Sequence, residues 1–161
     1  MRISRQIFPR PVGLIVTVDR SGRPNVATFS FIMPVSFNPK YLAIAVAPER
    51  HTYKNLEETG EFVVNLPTEE MADDIWICGT KSGKDVDKFS LTKLKPIKSI
   101  KVRPPRIEGC PVQFECKVEF IRKFGDHYLV VGRVLEEHME RKEFKAILHY
   151  TANEFYKIGE K

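Results

Sequence analysis

The feature that most constrains this chain is the length of its apolar runs, which are all as short as a β-strand. The two longest are residues 12–18, followed by the turn-rich stretch 19–24, and residues 41–48, which follow Asn38-Pro39. A membrane-spanning helix requires roughly 20 consecutive apolar residues. Short β-branched runs separated by Gly, Pro and Asp therefore predict a soluble fold built mainly from strands, with no membrane association.

The same patterning predicts six or seven strands and two or three short helices. Strand patterns occupy residues 12–18, 25–33, 41–46, 61–66, 112–120 and 128–135, with a hairpin turn at 124–127. Helices are predicted over residues 52–60 and from 69 to about 78, with Thr68 as the cap of the second. Residues 79–106, rich in Lys, Pro and Gly, are expected to form a long irregular loop.

Length and connectivity together predict the fold class. At 161 residues the chain fits one domain, spanning residues 1–161. Strands joined mostly by turns, with few helices, favour a mainly β protein with short helices, arranged as a closed antiparallel barrel with helical additions.

The charge pattern permits an anionic partner. The net charge is +5, and much of the excess lies in Lys93, Lys95, Lys98, Lys101, Arg103 and Arg106. Aromatic residues are not interleaved with these charges, so a solvated basic loop is favoured over a nucleic-acid surface. A small nucleic-acid-binding β-barrel is kept as an alternative, whose affinity would fall steeply with salt.

Cysteine usage and the amino terminus indicate a cytoplasmic protein. Cys78, Cys110 and Cys116 form no CxxC pair and have no histidine at metal-ligand spacing, so they are interpreted as buried small hydrophobes, and no metal site is expected. The first five residues are partly basic, but no apolar signal region follows them.

Motifs of the common enzyme mechanisms are absent, since the chain has no GxGxxG, Walker loop, GxSxG or HExxH. Two local features carry polar groups in unexpected places. In the first, strand alternation places Thr28 and Ser30 on one face, between Val26 and Ile32, with Phe29 on the other. These two hydroxyls either contact a ligand or bond nearby backbone or water.

The second feature is the start of the first predicted helix. Arg50 and Thr52 lie where free backbone N–H groups favour an anion such as phosphate, with Asn55 one turn further on. The alternative is that Thr52 caps the helix and Arg50 is solvated.

Taken together, these segments resemble the flavin reductase-like family of FMN-binding split barrels, which includes flavoredoxins. The matching elements are Arg10-Pro11-Val12, the turn at Gly22, Asn25-x-Ala27-Thr28-x-Ser30, Val35-Ser36-x-Asn38-Pro39, Thr52-x-x-Asn55, Glu61-Phe62-Val63-Val64-Asn65, Lys88-Phe89 and the closing Tyr156-x-x-Gly159. The resemblance implies an antiparallel split β-barrel that forms a homodimer, with FMN near the subunit interface.

The resemblance also implies which residues hold the cofactor. Thr28 and Ser30 would lie by the phosphate and ribityl chain. The residues expected to hold or shape the phosphate end are Arg50, Thr52 and Asn55, and those expected near the isoalloxazine ring are Ala27, Phe29 and Ser36. Lys88 would contact phosphate or ring oxygens.

The implied activity is that of an oxidoreductase, an NAD(P)H-dependent flavin reductase. Hydride would pass from NADH or NADPH to bound FMN, and electrons to free flavin, ferric iron or a partner protein. Since the flavin supplies the chemistry, no acid–base triad is required. The alternative within the family is an electron-transfer protein of flavoredoxin type that exchanges electrons with other proteins and has little NAD(P)H turnover.

Overall fold

The structure, a computed structural model, describes residues 2–152 and 154–157. The strands are β1 (Arg10–Pro11), β2 (Gly13–Val18), β3 (Pro24–Phe29), β4 (Ile32–Phe37), β5 (Lys40–Val46), β6 (Glu61–Leu66), β7 (Pro96–Ile97), β8 (Arg106–Ile107), β9 (Val112–Phe124), β10 (His127–Met139), β11 (Ile147–Thr151) and β12 (Glu154–Lys157). The helices are α1 (His51–Thr59) and α2 (Ala72–Thr80), and 3-10 turns span Ile3–Arg5 and Glu69–Met71. Gly159 of the closing motif and Met1 lie outside the described residues.

Seven strands form one antiparallel sheet in the order β3-β2-β6-β9-β10-β5-β4. β3 and β4 are consecutive in the chain but lie at opposite ends of this order, with Ser30 and Phe31 between them. The antiparallel split β-barrel implied by the family resemblance is therefore confirmed, whereas the closed barrel predicted from patterning is wrong. The single strand predicted over 25–33 is likewise two strands, because the chain leaves one edge of the sheet at Phe29 and joins the other at Ile32.

The continuous apolar run of β2 reflects burial on both of its faces. Ile15 belongs to a cluster enclosed by the sheet, together with Phe62 of β6 and Leu56 of α1. Val16 faces the opposite way and packs in a second cluster with Ile75 of α2. Burying an aliphatic or aromatic side chain of this size contributes about 1.5–3 kcal/mol. The two clusters hold α1 and α2 on the sheet, which positions the start of α1 beside the end of β3.

α1 lies within one residue of the predicted helix, whereas α2 begins at Ala72, after a 3-10 turn, rather than at residue 69. The side-chain caps considered at Thr52 and Thr68 do not form. α1 ends where Gly60 adopts φ 66° and its N–H bonds the carbonyl of Leu56, a left-handed cap that suits glycine. Arg50 is the residue preceding α1, and no side chain caps that end. Thr68 makes no side-chain cap either, and its buried hydroxyl has no hydrogen-bond partner among the described residues.

A buried carboxylate of the sheet hydrogen-bonds the long segment after α2. Glu115 of β9 is fully buried and accepts hydrogen bonds from the backbone N–H groups of Ile100 (2.9 Å) and Lys101 (2.6 Å). His138 Nε2 lies 2.8 Å from the same carboxylate. Burial raises the pKa of Glu115, but these hydrogen bonds outweigh it and lower the pKa below its ordinary value. These hydrogen bonds therefore hold the centre of the basic segment 93–106 against β9.

Two further findings bear on the sequence predictions. All three cysteines are free and buried, which confirms their interpretation as small hydrophobes. Along the described residues, no helix is both long and apolar enough to cross a bilayer.

Candidate functional site

Two adjoining cavities lie where the barrel is split. The first, called the split pocket, has a volume of about 540 Å³ and is lined by residues 28–31 at the end of β3, residues 45–47 at the end of β5 and the turn Asp126-His127. The second, called the polar pocket, has a volume of about 240 Å³ and lies between the start of α1 and residues 78–83. Thr28, Phe29, Glu49 and Arg50 line both, so the two cavities are neighbours. Their sizes suit a ligand of cofactor dimensions.

The polar pocket is built to receive an anion. Arg50, Lys81 and Lys88 line it, against one carboxylate, Glu49. The first turn of α1 also faces it, with His51 and Thr52 among the lining residues, and N–H groups at the start of a helix lack intrahelical acceptors. Cations and oriented N–H groups together favour phosphate.

Lys88 is the buried cation of this pocket. Only 5% of its surface is exposed, and its Nζ donates to the carbonyls of Cys78 and Lys81, each at 3.2 Å. An ammonium group has three N–H donors, so one is left for a ligand. Burial lowers the pKa of Lys88 to about 8, with the nearby Arg50 adding to the effect, whereas Cys78 opposes it. An anion bound here would restore the charge that burial disfavours.

Asn25 presents an unpaired acceptor to the same pocket. It is 94% buried, its Nδ2 donates to Thr52 Oγ1 at 3.3 Å, and its Oδ1 has no partner among the described residues. The loop passes so close that a Cβ built on Gly83 would lie 2.0 Å from that oxygen. A buried acceptor without a donor is costly, so a ligand hydroxyl next to the phosphate would fit here.

The split pocket has aromatic and polar side chains in its lining. Phe29, Phe31 and Val46 line it, and the ring of His127 lies 5.6 Å from that of Phe31. At its mouth His127 Nδ1 is 2.7 Å from Asp126 Oδ1. A pocket with aromatic side chains in its wall, next to a cationic pocket, matches a molecule with a flat ring at one end and a phosphate at the other.

Most of the predicted site residues come together here. Those that line one or both cavities are Ala27, Thr28, Phe29, Ser30, Arg50, Thr52 and Lys88. Asn55 lines neither; it is fully buried and donates from Nδ2 to Thr17 Oγ1 at 3.0 Å, which joins α1 to β2. Ser36 lies on the edge strand β4, opposite Tyr41, and lines neither cavity.

The hydroxyls singled out in the sequence have defined partners. Thr28 Oγ1 donates to the carbonyl of Ile75 at 2.6 Å, which ties β3 to α2 and leaves the oxygen free to accept from a ligand. Ser30 lies just beyond β3 rather than within one long strand, and its hydroxyl is 3.1 Å from His149 Nδ1. Thr52 is the acceptor of Asn25 rather than a helix cap.

Several residues that line the two cavities were not predicted from the sequence. They are Asn25, Phe31, Glu49, Lys81, Gly83, Asp126 and His127. Most lie in turns and loops that reach the site only through the folded chain. Asn25 belonged to a recognised motif, but nothing in the sequence shows that its carbonyl oxygen is buried without a donor.

The chain is similar in sequence and fold to several known proteins. A family profile described as "Flavin reductase like domain" matches residues 3–159. A protein of Archaeoglobus fulgidus described as uncharacterized is 38% identical over 125 residues, which are 78% of this chain and 71% of the relative. A flavin reductase of Pseudomonas putida is 28% identical over 145 residues, covering 89% of this chain and 80% of its own. The crystal structure of flavoredoxin from Methanosarcina acetivorans matches with a TM-score of 0.86 at 25% identity, over 100% of this chain and 92% of that one.

Proposed function

The chain belongs to the flavin reductase-like family, and from this premise we propose that it is an oxidoreductase that binds FMN across the split and polar pockets. The observation that carries the proposal is that a pocket bordered by Phe29 and Phe31 adjoins a pocket that holds a buried, partly bonded lysine. FMN has the matching shape, a planar ring joined through a hydroxylated chain to a phosphate.

The residues present fit this cofactor end to end. Arg50, Lys88 and the first N–H groups of α1 would hold the phosphate. The unpaired Asn25 Oδ1 would accept from a ribityl hydroxyl. Phe29 and Phe31 would border the ring.

Bound FMN would supply hydride acceptance and electron transfer, and the chain would supply position and electrostatics. The cations of the polar pocket would hold the cofactor by its phosphate, away from the reacting ring. The split pocket would hold the ring, with Asp126 and His127 beside it. Because the cofactor would supply the chemistry, the chain itself requires no acid–base triad.

We propose NADH or NADPH as the hydride donor, and free flavin, ferric iron or a partner protein as the acceptor. The visible absorption spectrum of freshly purified protein, followed by acid release and identification of the chromophore, tests the cofactor. Steady-state oxidation of NADH and NADPH with each acceptor tests turnover. If the FMN-loaded protein oxidises neither nucleotide, the reductase assignment fails. Protein that is colourless and binds no added FMN would overturn the proposal as a whole.

A second candidate, an electron carrier of flavoredoxin type, is favoured by the full-length match to the Methanosarcina flavoredoxin. Such a carrier would bind FMN but exchange electrons with proteins rather than with NAD(P)H. Flavin reduction by dithionite without detectable reduction by either nucleotide would select the carrier.

We further propose that the protein is a homodimer and that the edge strand β4 contributes to its interface. Three apolar side chains are exposed there: Met33 at 57%, Val35 at 49% and Phe37 at 90%. Exposed apolar residues on an edge strand favour association. Sedimentation velocity should show a dimer for the native protein and a monomer for Phe37→Glu. Ile100→Glu, at an exposed apolar residue of a loop, is the control. A monomeric native protein would refute the proposal.

A further inference from the structure

A buried guanidinium lies behind the wall of the split pocket. Arg10 of β1 is only 6% exposed. Its donors reach neutral acceptors: the carbonyls of Ser4, Ile7 and Tyr150, the Ser30 hydroxyl at 3.4 Å and His149 Nδ1 at 2.9 Å. Ser4 and Ser30 both line the split pocket. Arg10 therefore holds two parts of the pocket wall and places a positive charge directly behind them.

Within the part of the chain that the structure describes, no negative group pairs with this charge. Among the described residues, none of the ion pairs includes Arg10. The imidazole beside it is neutral, because His149 Nε2 lies 3.1 Å from the carbonyl of Ala152 and donates to it, leaving Nδ1 to accept from Arg10. Burial lowers the pKa of His149, and Arg10 lowers it further. A guanidinium stays protonated in proteins, so the charge is permanent.

We propose that Arg10 is an electrostatic positioning residue of the split pocket, which favours the reduced, negatively charged form of a bound flavin over the oxidised form. The inference rests on the proposed FMN site. Two electrons and one proton taken up by the oxidised ring leave it with one added negative charge at neutral pH. Arg10 reaches the pocket through Ser30, and a buried cation is poorly screened by solvent.

Coulomb's law sets the expected size of the effect. The Coulomb energy between unit charges roughly 10 Å apart, at an effective dielectric constant near 20, corresponds to a change on the order of tenfold in the ratio of reduced to oxidised affinity. For a two-electron couple, tenfold corresponds to about 30 mV in midpoint potential.

The test is the midpoint potential of FMN-loaded protein, measured by anaerobic dithionite titration against a reference dye. Arg10→Gln removes the charge but keeps hydrogen-bond donors, whereas Arg10→Lys keeps the charge. We expect Arg10→Gln to lower the potential by about 30 mV, and Arg10→Lys to stay near the native value. An unchanged potential in Arg10→Gln, or an equal fall in both variants, would overturn the inference.

Two controls keep the result interpretable. Thermal unfolding establishes that each variant is folded. If Arg10→Gln does not fold, FMN binding by the native protein still tests the inference. The native protein should bind reduced FMN more tightly than oxidised FMN. The opposite order would overturn the inference. Failure of the native protein to bind FMN at all would refute the proposed function instead. FMN binding with a potential insensitive to Arg10 would refute only the role of Arg10.

Discussion

Replacing Lys88 by Met removes the buried cation from the polar pocket while keeping a side chain of similar length. In the native protein its Nζ donates to the carbonyls of Cys78 and Lys81, which leaves one of its three donors for a ligand. A charge-assisted hydrogen bond to phosphate is worth about 1.5–3 kcal/mol. Lys88→Met should therefore weaken FMN binding about 10- to 150-fold, at about 1.36 kcal/mol per factor of ten. Riboflavin, which has no phosphate, should bind as before.

The pH dependence follows from the lowered pKa of Lys88. The lysine is charged below its pKa of about 8 and neutral above it. A bound phosphate stabilises the charged form and raises that pKa, so FMN affinity is highest below pH 8 and falls as the pH rises toward the pKa of the complex. One proton is involved, so the slope cannot exceed tenfold per pH unit. In Lys88→Met this fall should disappear.

Flavin fluorescence titrations from about pH 7 to about pH 9.5 provide the measurement, since phosphate is already doubly charged across this range. Lys98→Met, at an exposed lysine of the basic loop, is the matched control and should behave as the native protein. Equal losses for FMN and riboflavin would refute the phosphate placement. FMN affinity independent of pH in the native protein would refute the role of the Lys88 charge.

Three further predictions follow from other contacts. Arg50→Ala and Thr52→Ala should each weaken FMN more than riboflavin in the same titrations, and equal losses would count against a phosphate at the start of α1. Thr28→Val loses the hydrogen bond to the Ile75 carbonyl, about 1 kcal/mol, and should lower the melting temperature followed by circular dichroism by about 2–4 °C. Glu115→Gln should cost about 3 kcal/mol in urea unfolding at neutral pH, because a fully buried carboxylate loses its charge among its donors. The folded pKa of Glu115 is lowered, so this difference should persist above the unfolded pKa and shrink below about pH 4, and a difference independent of pH would contradict it.

Local structure was predictable wherever the determining residues are close in sequence. β6 spans the predicted residues 61–66, and the predicted hairpin turn joins β9 to β10. α1 ends at the predicted Gly60, whose positive φ supplies the cap. Strand alternation, turn residues and a terminal glycine act over a few residues, so they can be read without knowing the fold.

The errors arose where a distant part of the chain decides the outcome. Residues 25–33 show an unbroken strand pattern, yet the chain crosses from one edge of the sheet to the other between Phe29 and Ile32. Thr52 and Thr68 both suit a helix cap, but Asn25 engages the first and the second pairs by backbone with Ala146. Tertiary hydrogen bonds replaced the local ones that the sequence favoured.

By itself the sequence determined that this chain is mainly β, that it resembles the flavin reductase-like family, and which short segments carry the groups proposed to bind the cofactor. Only the tertiary structure decided how those groups combine. The order of strands in the sheet leaves a gap at β3, and α1 begins beside this gap. Lys88, in the loop after α2, also lines the pocket there and bonds the Cys78 carbonyl of α2. Arg10 and His149 meet behind Ser30 across 139 residues of chain. Such contacts depend on the packing of the whole sheet, and no local pattern in the sequence encodes them.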